Sequence, residues 1–152
     1  MVDLQRERVW DVMAEAVPLL MEQKAELAAY QDIEFNPDWE RYARAEKDGF
    51  LRVYTAREDE RLIGYAVFFV DRNMHYQDSL QAKQDVFYVE QDRRGAAVGA
   101  ALVRYSEQHL KLEGVQVIHH HAKLDHPALA ELLDSQGYDT VEVILSKRLD
   151  RD

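Results

Sequence analysis

The stretch DVFYVEQDRRGAAVGAALVRYSEQHLKL, residues 85–112, decides the fold. Val86, Phe87, Tyr88 and Val89 supply the branched and aromatic side chains of a half-buried strand. The polar run that follows ends in Arg93-Arg94-Gly95, which predicts a turn. Val98, Leu102, Tyr105, His109 and Leu112 then recur at three- and four-residue spacing, which predicts an amphipathic helix. Strand, glycine-bearing turn and helix, in that order, aim the unpaired N–H groups of the first helical turn at whatever lies before it. Such a place suits phosphate. Gly95 and Gly99 allow close approach, and Arg93 and Arg94 add positive charge. The turn lacks the Gly-Lys-Ser/Thr ending of a P-loop, and only two of the three glycines of a dinucleotide fingerprint are present.

The length of 152 residues predicts a single domain, 1–152, with a sizeable core. Cysteine is absent, so disulfides, thiolate metal sites and a cysteine nucleophile are excluded. A formal net charge of −10 argues against nucleic acid or an anionic membrane as the main partner. It is compatible with a cationic amine substrate, and equally with solubility alone. Asp3, Arg6, Glu7, Arg8 and Asp11 precede any apolar run, unlike a signal peptide, and the apolar run at 65–70 is too short to span a bilayer. These features predict a soluble, cytoplasmic protein.

Working outward, residues 4–30 carry an apolar stripe of Val9, Trp10, Met13, Ala16, Val17, Leu20 and Met21, which predicts a helix kinked or split at Pro18. Asn36-Pro37-Asp38 opens a second, short helix, with Trp39, Tyr42 and Ala43 inward and Gly49 as its stop. Strands are predicted at 50–57 and 61–70 around the turn Glu58-Asp59-Glu60. The connection 71–83 reads as a polar loop holding His75 and Tyr76. Beyond the organising segment, residues 115–121 read as a strand, 127–133 as a short helix ended by Gly137, and 140–149 as a last strand in which Val141, Val143 and Leu145 alternate with Glu142, Ile144 and Ser146.

Arg94-Gly95-Ala96-Ala97-Val98-Gly99 resembles the pyrophosphate segment of the GNAT family of N-acetyltransferases, Arg/Gln-x-x-Gly-x-Gly/Ala after a strand, with Ala97 in place of the first glycine. Leu132-Leu133-Asp134-Ser135-Gln136-Gly137-Tyr138 is similar to the family's Leu-Tyr-x-x-x-Gly-Phe. The resemblance runs from Asn36 to the end, and the family's first strand would have to be short or absent. It implies a mixed α/β fold: a central, mostly antiparallel, twisted sheet, splayed at an acetyl-CoA cleft and flanked by helices.

The resemblance also implies acetyl-CoA as co-substrate, with direct transfer to the amine of a small molecule or peptide and no metal. Its pyrophosphate would lie on Arg94, Gly95, Ala96, Ala97, Val98, Gly99 and Ala100, and its pantetheine arm along the backbone of Phe87, Tyr88 and Val89. Asp85 matches a position where the family often keeps a carboxylate base, and burial at a strand start would raise its pKa. His119 and His121, on one side of a strand, are the alternative bases, with His120 between them. No carboxylate is spaced to complete a metal site with this triplet. His75 and Tyr76 are the candidate substrate contacts. Leu133 stands where the family has the tyrosine that serves as acid. A weakly active or inactive module that binds acyl-CoA or a protein partner is therefore the rival reading, and an NAD- or ATP-binding protein a third. A homodimer is left open.

Overall fold

The computed structural model describes residues 1–95 and 97–151. The chain divides into two compact units, Met1–His121 and Ala122–Asp152.

The first unit is built on a five-stranded sheet in sequential order: β1 (Val2–Arg6), β2 (Leu51–Glu58), β3 (Arg61–Arg72), β4 (Leu80–Val89) and β5 (Val117–His119). The first four strands run antiparallel and β5 is parallel to β4, so the sheet is mixed. Two helices, α1 (Val9–Leu27) and α2 (Trp39–Lys47), cover one face. On this side Val9 and Val12 meet Leu51 and Val53, and Ala16 and Leu19 meet Leu62, Tyr65 and Tyr88. The helix α3 (Val98–Leu112) covers the other face, where Tyr54 meets Tyr105 edge to face. Val53 and Tyr54 thus point to opposite sides, as consecutive strand residues must. Tyr54, Phe68, Ile63, Leu102 and Leu110 are almost wholly buried, each of the four aliphatic or phenyl side chains contributing about 1.5–3 kcal/mol.

Three expectations for this unit change. Of the two alternatives for the first strand, the short one forms, at Val2–Arg6, and it takes residues 4–6 that the sequence assigned to the first helix. Its partner is the free edge of β2, with Leu4 opposite Ala56. Of the kink or split expected at Pro18, the split does not occur, since α1 continues through it. The apolar face spans the proline, with Val9 and Val12 before it and Leu19 after, and this burial offsets the roughly 3 kcal/mol that a proline costs inside a helix. The β3–β4 connection is shorter than the predicted 71–83 loop, because β3 runs on to Arg72 and β4 starts at Leu80.

Asp38 caps α2 by accepting from Arg41 N–H at 3.0 Å, and Gly49 ends it with φ +86°. Glu46 of α2 in turn accepts from the first N–H of α1, on Val9, at 3.2 Å. The two helices are therefore pinned to each other.

The second unit holds one helix, α4 (Ala128–Ser135), followed by Gly137 with φ +90°. The last strand predicted at 140–149 does not form. Val141, Val143, Ile144 and Leu145 are all exposed there. Alternation gives a segment two faces, but a strand also needs a partner backbone, and alternation does not specify one.

Candidate active site

The site is set by what happens halfway along β4. Val67 of β3 pairs with Val86, but the next residue, Phe68, pairs with Gln84. Asp85 is the extra residue, a β-bulge, and bulges bend a strand and re-aim side chains. As a result Asp85 and Val86 both turn to the α1–α2 face. Val86 packs beside Leu62, Tyr65 and Tyr88, while Asp85 Oδ2 accepts a hydrogen bond from the Tyr42 hydroxyl of α2 at 2.6 Å. Burial raises the pKa of the Asp85 carboxyl, and the Tyr42 hydrogen bond and nearby His121 pull it part of the way back. Tyr42 is pushed well above the usual phenol range by burial and then by Asp85.

On its other side β4 parts from β5. Pairing covers Gln81 to Lys83 against Val117 to His119 and goes no further, so the backbone of Phe87, Tyr88 and Val89 has no sheet partner there. Gln84 marks the point of parting. Its Oε1 accepts from His120 Nδ1 at 2.7 Å, its Nε2 donates to the His121 carbonyl at 3.3 Å, and its own carbonyl accepts from His121 Nε2 at 3.0 Å. His119 is engaged higher up, its Nε2 donating to Gln81 Oε1 at 3.0 Å. His120 lies edge-on to Phe68 and Phe87, and burial, with His121 beside it, pushes its imidazole down to about 4. The histidine triplet thus joins the two strands where they part, and His121 is the member brought near Asp85.

At the far end of β4 the chain passes through a 3-10 turn at Gln91–Arg93 and enters α3. Gly95 has φ +87°. Ala97 has φ +63°, the left-handed region that a side chain disfavours, so this position suits the glycine that the sequence pattern expects. Ala96, between them, lies outside the described residues. Among the described residues no side chain caps α3 and no acidic residue sits in its first turn, in contrast to α2. The positive end of the helix dipole, at Val98 and Gly99, therefore has no acidic side chain of its own first turn against it.

The two arginines of the turn are committed to carboxylates. Arg93 Nη2 lies 2.7 Å from Glu58, and Arg94 makes a bidentate pair with Glu26 of α1. Arg94 Nε also donates to the Val89 carbonyl at 3.1 Å.

His75 and Tyr76 sit on the exposed loop between β3 and β4, where Asn73 Oδ1 accepts from both of their N–H groups. Five residues of β4 separate that loop from Asp85, roughly 16 Å at the strand rise.

Two functional candidates were not foreseen. Tyr42 reads in the sequence only as an inward position of a short helix, and Glu26 as one acid among many. Their partners lie 43 and 68 residues away, so no local pattern could reveal them. Among the described residues no group of three metal-ligating side chains converges, and no helix is long and apolar enough to cross a membrane.

The comparisons agree with this fold. The fold matches a ribosomal-protein-alanine N-acetyltransferase from Brucella melitensis biovar Abortus 2308 with a TM-score of 0.75 at 18% identity, over 98% of this chain and 99% of that one. An aminoglycoside acetyltransferase from an uncultured soil metagenomic sample, in complex with sisomicin, matches with a TM-score of 0.76 at 14% identity, over 97% and 94%. A predicted acetyltransferase from Clostridium acetobutylicum, with acetyl-CoA, matches at 0.71 and 15%, over 98% and 97%. No curated relative matches the sequence. The profile of the Acetyltransferase (GNAT) family matches residues 14–138, which takes in the bulged strand, the turn and the start of α3, and the chain belongs to that family.

Proposed function

We propose that this chain is an acetyl-CoA-dependent N-acetyltransferase that acetylates an amine directly, with no covalent enzyme intermediate. The observation that carries the reading is the placement of Asp85: a half-buried carboxylate, turned out by a bulge, beside the point where β4 and β5 part. The residues fit the co-substrate. The start of α3, at Val98 and Gly99, offers N–H groups to a pyrophosphate, and the side of Phe87 and Tyr88 turned away from β3, past the end of the β4–β5 pairing, offers an edge to an extended amide-bearing arm. Bound acetyl-CoA supplies an acetyl group activated as a thioester.

The chain's own task is the proton. An ammonium acceptor must lose one proton before its nitrogen lone pair can form the C–N bond, and Asp85 is the group that receives it. A carboxylate in contact with water is a weak base at neutral pH. Burial raises its basicity toward the range where it is useful. The sulfur leaves with the electron pair of the broken C–S bond; the second proton, shed by the nitrogen once the C–N bond has formed, goes to the thiolate, since Leu133 offers no phenolic proton to it.

The acceptor class follows from charge and from the relatives. Two of them are named for a protein substrate and for aminoglycosides, both of which present amines. A net charge of −10 favours a cationic acceptor. Leu133 favours a second reading, a binding module that holds acyl-CoA without turnover. Steady-state assays of free CoA release with a panel of peptide N-termini, polyamines and aminoglycosides separate the two. Release stimulated by an amine, with the acetylated amine found by mass spectrometry, supports the enzyme. Tight acetyl-CoA binding without turnover on any amine supports the module.

A further inference from the structure

We infer that Tyr42 is a positioning residue for acetyl transfer: its hydroxyl holds the Asp85 carboxylate in one orientation and in its ionised form, leaving Oδ1 to take the proton. The inference rests on the reading of Asp85 as the base. Its geometry stands on three observations.

The first is the contact itself. The Tyr42 hydroxyl donates to Asp85 Oδ2 at 2.6 Å, a short distance typical of a hydrogen bond to an ionised acceptor. Among the described residues Oδ1 accepts no hydrogen bond, so one oxygen is held and the other is available. The second is the rigidity of the donor. The Tyr42 ring stacks on Phe69 with centroids 6.2 Å apart and planes at 21°, and leans on Trp39 at 6.0 Å. Its helix is tied to α1 through Glu46 and Val9. The third is the bulge, which leaves Asp85 outside the β3–β4 pairing and makes its direction depend on a side-chain contact.

The chemistry explains why a tyrosine suits this place. An arginine would hold the carboxylate equally well, but its full charge would lower the basicity that the reaction needs. A phenol kept protonated by burial and by Asp85 itself donates one neutral hydrogen bond throughout the working pH range. The other groups that face Asp85 are His121, which follows β5, and the Tyr65 hydroxyl of β3, which is held protonated by burial and bonded to Gln23 at 2.7 Å. Neither replaces the Tyr42 contact.

Tyr42→Phe removes only the hydroxyl and keeps the ring contacts, so the variant folds; its melting curve verifies this. Two measurements are made on wild type, Tyr42→Phe and Asp85→Asn. Carbon-detected NMR of carboxyl-labelled protein, with Asp85→Asn identifying the signal, gives the Asp85 titration without any need for turnover. A pH–rate profile on one responsive amine gives the acid limb of kcat/KM.

The expected result is an Asp85 titration displaced to higher pH in Tyr42→Phe, with the acid limb moving in the same direction. A fall in kcat of about tenfold or more, with an unchanged KM for the amine, is expected on the plateau above that limb. An Asp85 titration that does not move overturns the inference, whatever the activity. A titration that moves while the acid limb and kcat stay put overturns it too, since Tyr42 would then tune a group that the reaction does not use. If no variant or wild type turns over any amine, the acetyltransferase reading fails, and a displaced titration still establishes that Tyr42 holds the carboxylate.

Discussion

Arg94 is held by Glu26. The guanidinium forms a two-pronged ion pair with the carboxylate, Nη2 lying 2.8 Å from Oε2, and its central carbon sits 4.9 Å from the centre of the Tyr88 ring. The Tyr88 hydroxyl lies 2.8 Å from both Glu22 and Glu26. The turn that leads into α3 is thereby fastened to the last turns of α1. An arginine placed by sequence pattern to meet a pyrophosphate already has an anionic partner.

That relationship sets opposite outcomes for stability and affinity in Glu26→Gln. The Arg94 hydrogen bond, chiefly, lowers the Glu26 carboxyl from 4.5 to about 2. A depressed carboxylate contributes stability that is complete above its unfolded value and is lost as pH falls through the folded one. The variant should therefore be less stable than wild type at neutral pH, and the gap should close between about pH 4.5 and 2. With Arg94 40% exposed, screening limits the gap to about 1 kcal/mol. Urea unfolding at several pH values measures it. The released Arg94 should bind acetyl-CoA several-fold more tightly by calorimetry; a weaker binder would mean that the pair shapes the site rather than competes with it.

Ala97→Gly tests the strain at the start of α3. Alanine at φ +63° costs roughly 1–2 kcal/mol relative to glycine, part of which the greater freedom of unfolded glycine offsets. The substitution should raise the midpoint of urea unfolding by an amount worth about 1 kcal/mol or less and leave acetyl-CoA affinity intact. A lower midpoint would show that the left-handed turn is not under strain.

Gly99→Glu addresses the anion site itself. A carboxylate in the first turn favours the helix dipole, so the fold should hold, while the same charge repels a pyrophosphate. Calorimetry should find acetyl-CoA binding abolished and circular dichroism unchanged. Equal affinity in both proteins removes the assignment.

The loop that carries His75 and Tyr76 joins β4 at a point about 16 Å along the strand from Asp85, given the strand rise. Only a long acceptor could touch both regions. Replacing the pair with alanine should raise KM for a peptide or aminoglycoside and leave KM for a small amine unchanged. An effect on the small amine would place the acceptor site elsewhere than beside Asp85.

What the sequence made legible was local. The order of strand, turn and helix at 85–112 shows in its periodicity, and the caps at Asp38 and Gly49 show in their residue types. Leu112 marks the limit even there: periodicity put it on the apolar face, yet as the last residue of α3 it is exposed. The bulge at Asp85 is invisible in sequence, since it is a mismatch between two strands and neither strand carries it alone. The same holds for the Tyr42–Asp85 bond and for Glu26 with Arg94, which exist only once α1, α2 and β4 are packed. The terminal segment fails in the opposite direction. Its alternation of Val141, Glu142 and Val143 is a sound local signal, and pairing is what it lacks.

Asp85→Asn joins the stability of the fold to its chemistry. Burial, the largest influence on this carboxyl, raises its pKa, so folding prefers the protonated form. The sign is opposite to that of Glu26: the contribution of Asp85 to stability is most favourable below the ordinary carboxylate range and declines as pH rises through the elevated folded value. Asparagine cannot ionise and can still accept from Tyr42. Asp85→Asn should therefore be more stable than wild type at neutral pH, with the advantage disappearing in acid. Activity should move the other way, kcat falling by roughly 10²–10⁴, the range for loss of a general base, with acetyl-CoA affinity unchanged. Urea titrations at pH 3 and pH 7 and a pH–rate profile on one amine check both halves. A variant that gains stability and keeps its rate and its acid limb would show a buried carboxylate with no part in the proton transfer, and His121, which faces the same space, would be the next base to replace.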